Sequence, residues 1–307
     1  MKISENNKKK LIVLTGTTCT GKSLTALNLN DLISSEIISA DSMLVYRYFD
    51  IGTAKPTKEI LSKTKHHLVD IVDPDDEFDA WKFMELSREV IDKSNLNNFI
   101  VVGGTQLYIK SLIEGLTFDI SKNDHIRKSI VKELELYGID HLYSKLKELD
   151  SEGAAMISSN DKQRIIRYLE INYITGQRVS QVFKMKSNQK IQNVDYVKVG
   201  LSINRESVNT MINKRVDQMI RDGLVQEVVE LKKRYNKKIK PFNSIGYKEI
   251  CLYLNSEVSL DQAVELIKIR TRQFAKRQRT WLRKDEEIKW FDHVEDLINF
   301  CTKYTFS

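Results

Sequence analysis

Residues 11 to 23 read Leu11-Ile12-Val13-Leu14-Thr15-Gly16-Thr17-Thr18-Cys19-Thr20-Gly21-Lys22-Ser23, an apolar run followed at once by G-x-x-x-x-G-K-S. A helix-like stretch comes next, so the pattern predicts a strand, a phosphate-binding loop and a helix in that order. Gly16 and Gly21 let the backbone curl so that its N–H groups point inward at phosphate oxygens. Lys22 adds a point charge, and the Ser23 hydroxyl is placed to coordinate Mg²⁺. The loop as a whole, Gly16, Thr17, Thr18, Cys19, Thr20, Gly21, Lys22 and Ser23, is expected to cradle a polyphosphate.

Which polyphosphate is decided further along. Hydrolysis or γ-phosphoryl transfer normally needs a second strand ending in a magnesium-binding Asp. The natural candidate, Phe99-Ile100-Val101-Val102, runs instead into Gly103-Gly104-Thr105. A different apolar run, Glu36 to Ala40, ends in Asp41-Ser42, which puts a carboxylate at the edge of an open α/β sheet where ligands sit. A phosphate cradle with a carboxylate and a threonine on neighbouring strand tips suits a diphosphate that departs as a leaving group.

At 307 residues, with 41% hydrophobic and 30% charged residues, the chain should form a sizeable α/β domain plus an elaboration. Three prolines and twelve glycines favour a helix-rich chain. Cys19, Cys251 and Cys301 are far apart and lack metal-ligand spacing, which argues against a disulfide framework or a zinc site and fits a reducing cytoplasm. Lys8-Lys9-Lys10 reads as a frayed basic leader, because only four apolar residues separate it from the loop region. No run approaches the length that spans a bilayer. Nothing suggests an obligate interface, so a monomer is expected.

From Leu11 to about Leu116 short apolar runs alternate with helical stretches, including a helix near Ala80 to Ser94, as in a parallel, doubly wound sheet. Strands then stop. Helical periodicity runs through Ile126–Leu136, Leu142–Leu149 and Ile165–Ile174, with Gly138 and Gly176 where helix ends would place them. A strand at Tyr196–Leu201 resumes the sheet, and helices follow at about Arg205–Arg221, Val225–Tyr235 and Ile245–Leu254. The expected fold is therefore α/β: a P-loop parallel sheet core flanked by helices, built from residues 1–118 and 196–307, with a helical insertion at 119–195.

Ser259-Leu260-Asp261-Gln262 is a capping-box signature opening a long helix, Gln262–Arg283. Between Lys268 and Lys284 lie eight basic residues and no acidic one. Arg272, Lys276, Arg279 and Arg283 recur at i, i+4, i+7 and i+11 and share a face, a clustering that points to a polyanion. Ile267, Phe274 and Trp281 repeat every seven residues and are expected to dock the helix on the core. His66-His67, adjacent on an extended segment, should point oppositely and serve structure. Phe78, Trp81 and Phe83 could line an apolar pocket or belong to the core.

With loop, strand-tip carboxylate and basic helix in place, the sequence resembles the tRNA dimethylallyltransferases, or tRNA isopentenyltransferases, over nearly its whole length. The resemblance rests on Gly16–Ser23, on Asp41–Arg47 followed by Asp50–Pro56, and on His67–Asp70 leading to Asp73-Pro74. It continues through Val102–Thr105, Gln163–Arg167, Ser244–Tyr247 and Thr271–Gln278, ending in Thr280-Trp281. It implies transfer of a dimethylallyl group from dimethylallyl diphosphate to the exocyclic amine of an adenosine beside the anticodon of a tRNA. It implies Asp41 as general base, and Lys22, the loop amides, Ser23 through Mg²⁺, Thr105 and Arg215 as donors to the departing diphosphate.

The same resemblance assigns RNA contacts to Asp41, Ser42, Met43, Leu44, Thr105, Arg127, Gln163, Arg164, Ile165, Ile166 and Arg167, and to Asn243, Ser244, Ile245, Gly246, Tyr247 and Lys248. The insertion is then expected to embrace the anticodon stem-loop. An adenine must leave its stack to reach a buried base, which requires polar groups around the extruded ring and cations along the backbone. The chain departs from the family pattern at Thr17 for proline, Gln106 for glycine, Leu44 for glutamine, and Tyr48-Phe49 for glycine-methionine. Leu44, Tyr48 and Phe49 fall near the expected adenine site. Three alternatives differ in class: a P-loop kinase of a small metabolite, a prenyltransferase of free adenine nucleotides, and a non-catalytic RNA-binding protein with a vestigial loop.

Overall fold

The computed structural model describes residues 8–116, 123–184, 190–235 and 239–307, which fall into two compact units, 1–113 with 191–307, and 114–190. In the first unit, β1 (Lys9–Thr15) leads through the loop into α1 (Lys22–Ile33) and β2 (Glu36–Ser39). Then come α2 (Lys58–Lys63), β3 (His66–His67), α3 (Ala80–Lys93), β4 (Asn98–Val102) and α4 (Gln106–Glu114). The second unit is helical: α5 (Asp124–Leu149), α6 (Ser151–Ala155), α7 (Lys162–Thr175) and α8 (Val179–Lys184). The chain returns through β5 (Val194–Leu201), α9 (Arg205–Arg221), α10 (Leu224–Arg234) and α11 (Tyr247–Leu254). It closes with α12 (Leu260–Leu282), β6 (Ile288–Phe291) and α13 (Val294–Phe306).

The six strands form one parallel sheet in the order β3-β2-β4-β1-β5-β6. Parallel sheets are covered on both faces, which is why β1 and β4 are apolar runs rather than alternations. The two-residue period still sorts their side chains. Leu11, Val13, Ile38, Phe99 and Val101 face one core, with Phe83, Ile109 and Val208 from the helices. Ile12, Leu14, Ile37 and Ile100 face another, with Ala26, Leu29, Leu297 and Cys301. The chain winds from β1 to one side of the sheet and then to the other, so ligands are expected at the carboxyl ends of the central strands.

Lys9 and Lys10 belong to β1 and are not a frayed leader. The Lys9 ammonium donates to the Ser94 carbonyl at 2.8 Å, past the end of α3, and that of Lys10 to the Tyr304 and Thr305 carbonyls of α13 at 3.0 and 3.1 Å. Cations at helix C-termini are favourable. Phe78 and Phe83 are core residues, Phe83 stacked on Tyr108 with ring centroids 4.5 Å apart. Phe49 is also fully buried, against Phe242 and Tyr247, and so is not at a ligand surface; a large apolar ring at this position is retained by packing.

The second unit has its own core, including Ile130, Leu134, Leu142, Leu146, Ile165, Ile166 and Leu169. Gly138 (φ 82°) breaks the helical geometry within α5, and Gly176 (φ 67°) caps α7. The two units divide at 113/114 and 190/191. Strand pairing starts earlier than the periodicity suggested: Val194 is already in register with Lys9, and the Ile191 amide donates to the Ile113 carbonyl. The 118/119 junction itself lies outside the described residues.

One contact sets the spacing of the strand tips. A Cβ at Gly103 would stand 2.1 Å from the Ala40 carbonyl oxygen, so β2 and β4 approach this closely only because residue 103 has no side chain. Gly103→Ala should therefore spread the tips, lowering stability by about 1–3 kcal/mol as overpacking does. A fall in the thermal midpoint together with most of the catalytic activity is the expected result, read by calorimetry and by turnover.

Candidate active site

The loop between β1 and α1 ends at Gly21, which caps the helix in a left-handed conformation (φ 82°) and offers no side-chain acceptor. The first-turn amides of α1 therefore have no cap to satisfy them, and they face the place where an anion would sit. The Lys22 ammonium folds back onto the Thr17 carbonyl, which also accepts from Thr20 Oγ1 at 2.9 Å. Burial lowers the Lys22 pKa from 10.5 to about 8; Cys19 and Asp41 oppose this, and the Arg215 charge adds to it. One amide is not available to a ligand. The Thr18 N–H, expected to point inward with the rest, donates to Gln278 Oε1 at 2.8 Å because α12 passes across the loop.

The strand tips bring the predicted polar groups together. Ala40 pairs with both sides of the β4 tip, its amide donating to Val102 and its carbonyl accepting from Thr105. Thr105 Oγ1 accepts from the Ser42 amide at 3.2 Å. Asp41 Oδ1 accepts from the Met43 amide at 2.8 Å, which orients the carboxylate; Oδ2 has no partner among the described residues. Arg215, on α9, reaches the same place. Its guanidinium donates to the Thr53 carbonyl at 3.3 Å and to Thr18 Oγ1 at 3.4 Å, so it is part of the cradle wall and not a surface ion pair.

Two cavities meet at these residues. One, of about 250 Å³, is lined by Lys22, Ser23, Asp41, Arg215 and other loop residues. The second, of about 350 Å³, shares Thr18, Asp41, Thr53, Arg215 and Phe274 with the first and adds Thr105, Ser42, Met43 and Asn243 to Gly246. Its far wall is apolar: Ile212, Val216, Met219, Ile245 and Ile267. Asp41 thus stands between an anion cradle and a largely apolar chamber. Thr53, Met219 and Phe274 went unrecognised in the sequence. Thr53 lies in the Asp50–Pro56 motif, which was a usable signal, whereas the apolar α9 positions look like any buried helix face.

Phe274 and Trp281 are 37% and 42% exposed, so the seven-residue stripe does not dock α12 as expected. The buried face is Ala263, Ile267, Ala275, Gln278 and Leu282. A strict seven-residue repeat drifts around a straight helix, and Phe274 turns into the cavities instead of the core. Leu44 lines the first cavity, while Tyr48 is exposed under the Arg234 guanidinium, 3.6 Å from its ring centroid. His67 Nε2 bonds Glu36 at 2.8 Å, while His66 points the other way and lines the first cavity.

Along α12 the cations divide. Lys268 pairs with Asp217 at 2.9 Å and Arg270 pairs with Glu249, while Arg272 donates to Asn213 at 2.7 Å. Lys276, Arg279 and Arg283 have no hydrogen-bonding or ionic partner among the described residues, and with Arg272, Arg205 and Asn209 they line a groove between α9 and α12. In the second unit, Arg127 and Arg167 converge on the buried Glu170 at 3.0 and 2.9 Å, next to the exposed Gln163 and Arg164. Ile165 and Ile166 are buried in that unit's core, and Tyr247 is fully buried with its hydroxyl on Glu227, so these three side chains do not reach a surface. Tyr247 holds the 50–54 loop in place: Glu227 and the Tyr247 hydroxyl both accept from the Gly52 amide.

No cluster of three or more His, Cys, Asp or Glu suited to a metal occurs among the described residues. Ser23 at the mouth, and Ser39, whose buried Oγ has no partner among the described residues and which lines the same cavity, are oxygen groups of the kind a hard cation takes.

Residues 44–285 match the family model described as IPP transferase, most of the chain's length. The chain belongs to the IPP transferase family. A relative of this family, the tRNA dimethylallyltransferase of Caldanaerobacter subterraneus, is 43% identical over 92% of this chain and 91% of its own. Among solved structures, the full-length tRNA isopentenylpyrophosphate transferase of Bacillus halodurans matches with a TM-score of 0.70 and 34% identity, over 97% of both chains. A eukaryotic dimethylallyltransferase described as acting on tRNA matches with a TM-score of 0.78 and 29% identity, over 92% of this chain and 73% of the other. The α/β fold is thus that of IPP transferases, and the chain is an enzyme of that family.

A pKa of about 8 for Lys22 has a sign that can be measured. The ammonium is present below that pH and is lost above it, so affinity for dimethylallyl diphosphate with Mg²⁺ should fall as pH rises from 8 to 9, by up to about tenfold. Titration calorimetry of the wild type against Lys22→Met checks this; the variant should bind weakly and without that pH step.

Proposed function

We propose that this enzyme transfers a dimethylallyl group from dimethylallyl diphosphate to the exocyclic N6 amine of the adenosine 3′-adjacent to the anticodon in tRNA, releasing diphosphate. The observation that carries this reading is Asp41 at the junction of the anion cradle and the apolar chamber, with Thr105 on the neighbouring strand tip. The naming of relatives as tRNA dimethylallyltransferases supports it. A metabolite kinase is not favoured, since the tip of β4 carries Gly103 and Gly104 where a metal-binding carboxylate would stand.

The amine nitrogen attacks the allylic carbon, the bond from that carbon to the diphosphate oxygen breaks, and the proton leaving nitrogen goes to the unpartnered oxygen of Asp41. Because the allylic carbon tolerates positive charge, the bond to the leaving group is far broken before the new one is complete. The main task is then to stabilise negative charge growing on diphosphate. Lys22, Arg215, Thr105 and the first-turn amides of α1 would meet that charge. Ser23 would hold Mg²⁺, which when bound would supply positive charge to the departing diphosphate. The apolar wall of Ile212, Val216 and Met219 would keep water from capturing the allylic carbon.

Each unit carries groups suited to RNA. Lys276, Arg279 and Arg283 have charge to spare in the α9–α12 groove, with Arg272 beside them, and Arg127, Gln163, Arg164 and Arg167 form the polar surface of the helical unit. Ser42, Met43 and Asn243 to Gly246 surround the chamber that the extruded adenine would enter, and Lys248 is exposed nearby in sequence. Ile165 and Ile166 pack the helical unit from within, and Tyr247 packs beneath the 50–54 loop of the other.

Asp41→Ala incubated with Mg²⁺, dimethylallyl diphosphate and unmodified tRNA should lose turnover by about 10²–10⁴-fold, the usual range for a general base. Its tRNA affinity should stay within a few-fold of wild type; mass spectrometry of digested RNA and filter binding read the two effects. Replacing Lys276, Arg279 and Arg283 with Gln should weaken tRNA binding and reduce the slope of log affinity against log salt by about 0.7–0.9 for each phosphate no longer neutralised. An unchanged slope would remove the groove from the RNA surface.

A further inference from the structure

Gln278 lies on the buried face of α12, one turn from its C-terminal end, is 6% exposed, and makes two hydrogen bonds of opposite sense. Its Oε1 accepts from the Thr18 amide at 2.8 Å, and its Nε2 donates to the Gly104 carbonyl at 3.0 Å. The primary amide therefore ties the phosphate-binding loop to the tip of β4, one residue before Thr105. The fit is close: a Cβ at Gly104 would lie 2.2 Å from Gln278 Nε2. Few other side chains can do this. A carboxylate has no donor for the Gly104 carbonyl, and an aliphatic chain would leave a buried amide and a buried carbonyl unpaired.

We infer that Gln278 is a positioning residue for the diphosphate cradle: by holding Thr18 and Gly104 a fixed distance apart, it turns the Thr18 amide away from the ligand and aims the rest of the loop, with Thr105, at the leaving group. This rests on the reading of the loop as a diphosphate site. Thr18 also receives the Arg215 guanidinium on its Oγ1, so the same clamp fixes where that cation stands. The geometry gives α12 two separate duties. Phe274 and Gln278, four residues apart, face the cradle, while Lys276 and Arg279 face the groove.

The test compares the wild type with Gln278→Met and Gln278→Glu. In Gln278→Met, which keeps the volume but neither hydrogen bond, the Kd of Mg²⁺-diphosphate and the KM for dimethylallyl diphosphate should rise by about tenfold or more, while tRNA affinity by filter binding stays within twofold. In Gln278→Glu the ionised side chain should impair diphosphate binding. Binding should recover as pH is lowered and the carboxyl regains a proton to donate to Gly104, a recovery that Gln278→Met should lack. Diphosphate affinity of Gln278→Met within twofold of wild type, or no recovery in Gln278→Glu relative to wild type at the same pH, would overturn the inference. If Gln278→Met does not fold, the pH series on Gln278→Glu decides. Failure of the wild type to bind diphosphate would instead strike the reading of the loop.

Discussion

The whole site depends on how close β2 and β4 come at their carboxyl ends. With Gly103 pressed against the Ala40 carbonyl, two strands that are neighbours in the sheet also become neighbours beyond it, and Asp41 and Thr105 are carried to one point. In a parallel sheet all carboxyl ends lie on the same edge, so the loop after β1 opens at that point as well. A carboxylate, a hydroxyl and the loop after β1 therefore come together through register rather than through any attraction between them. Three backbone segments far apart in sequence need only run in the same direction.

Charge is distributed around that point with few acids to balance it. Burial depresses the Lys22 pKa and the nearby Arg215 charge adds to it, an arrangement that costs stability until an anion arrives. A diphosphate would reverse that penalty, and an electrostatic site that is already assembled needs little reorganisation during the reaction. The same logic applies on the outer face of α12. Cations toward its start are used internally, by Asp217 and Glu249, whereas Lys276, Arg279 and Arg283 repel one another with no acid to quiet them.

The helical unit follows different rules. Its buried charges are saturated: Glu170 takes Arg127, Arg167 and the Asn123 amide, and Asp150 takes the amides of Gly153 and Ser180 and the Ser180 hydroxyl. Arginines held by a buried carboxylate keep a fixed orientation at the unit's surface. The resemblance groups Arg164 with Arg167 in one motif, but Glu170, three residues on, is what organises the second of them.

Sequence by itself determined the loop, strands β1, β2, β4 and β5 and most of the longer helices, because a glycine-flanked cradle, apolar runs and capping residues act over a few neighbouring positions; β3, β6 and α13 emerged only in the structure. It also identified Asp41 and Thr105 as strand-tip groups. Tertiary structure decided which side chains were spare. Tyr247, Ile165 and Ile166 proved to be packing groups, the α12 stripe of Ile267, Phe274 and Trp281 split between core, cavity and solvent, and Gln278 became the tie between loop and sheet. Each of those outcomes depends on what a distant segment places opposite the residue, and periodicity along one helix carries no information about that.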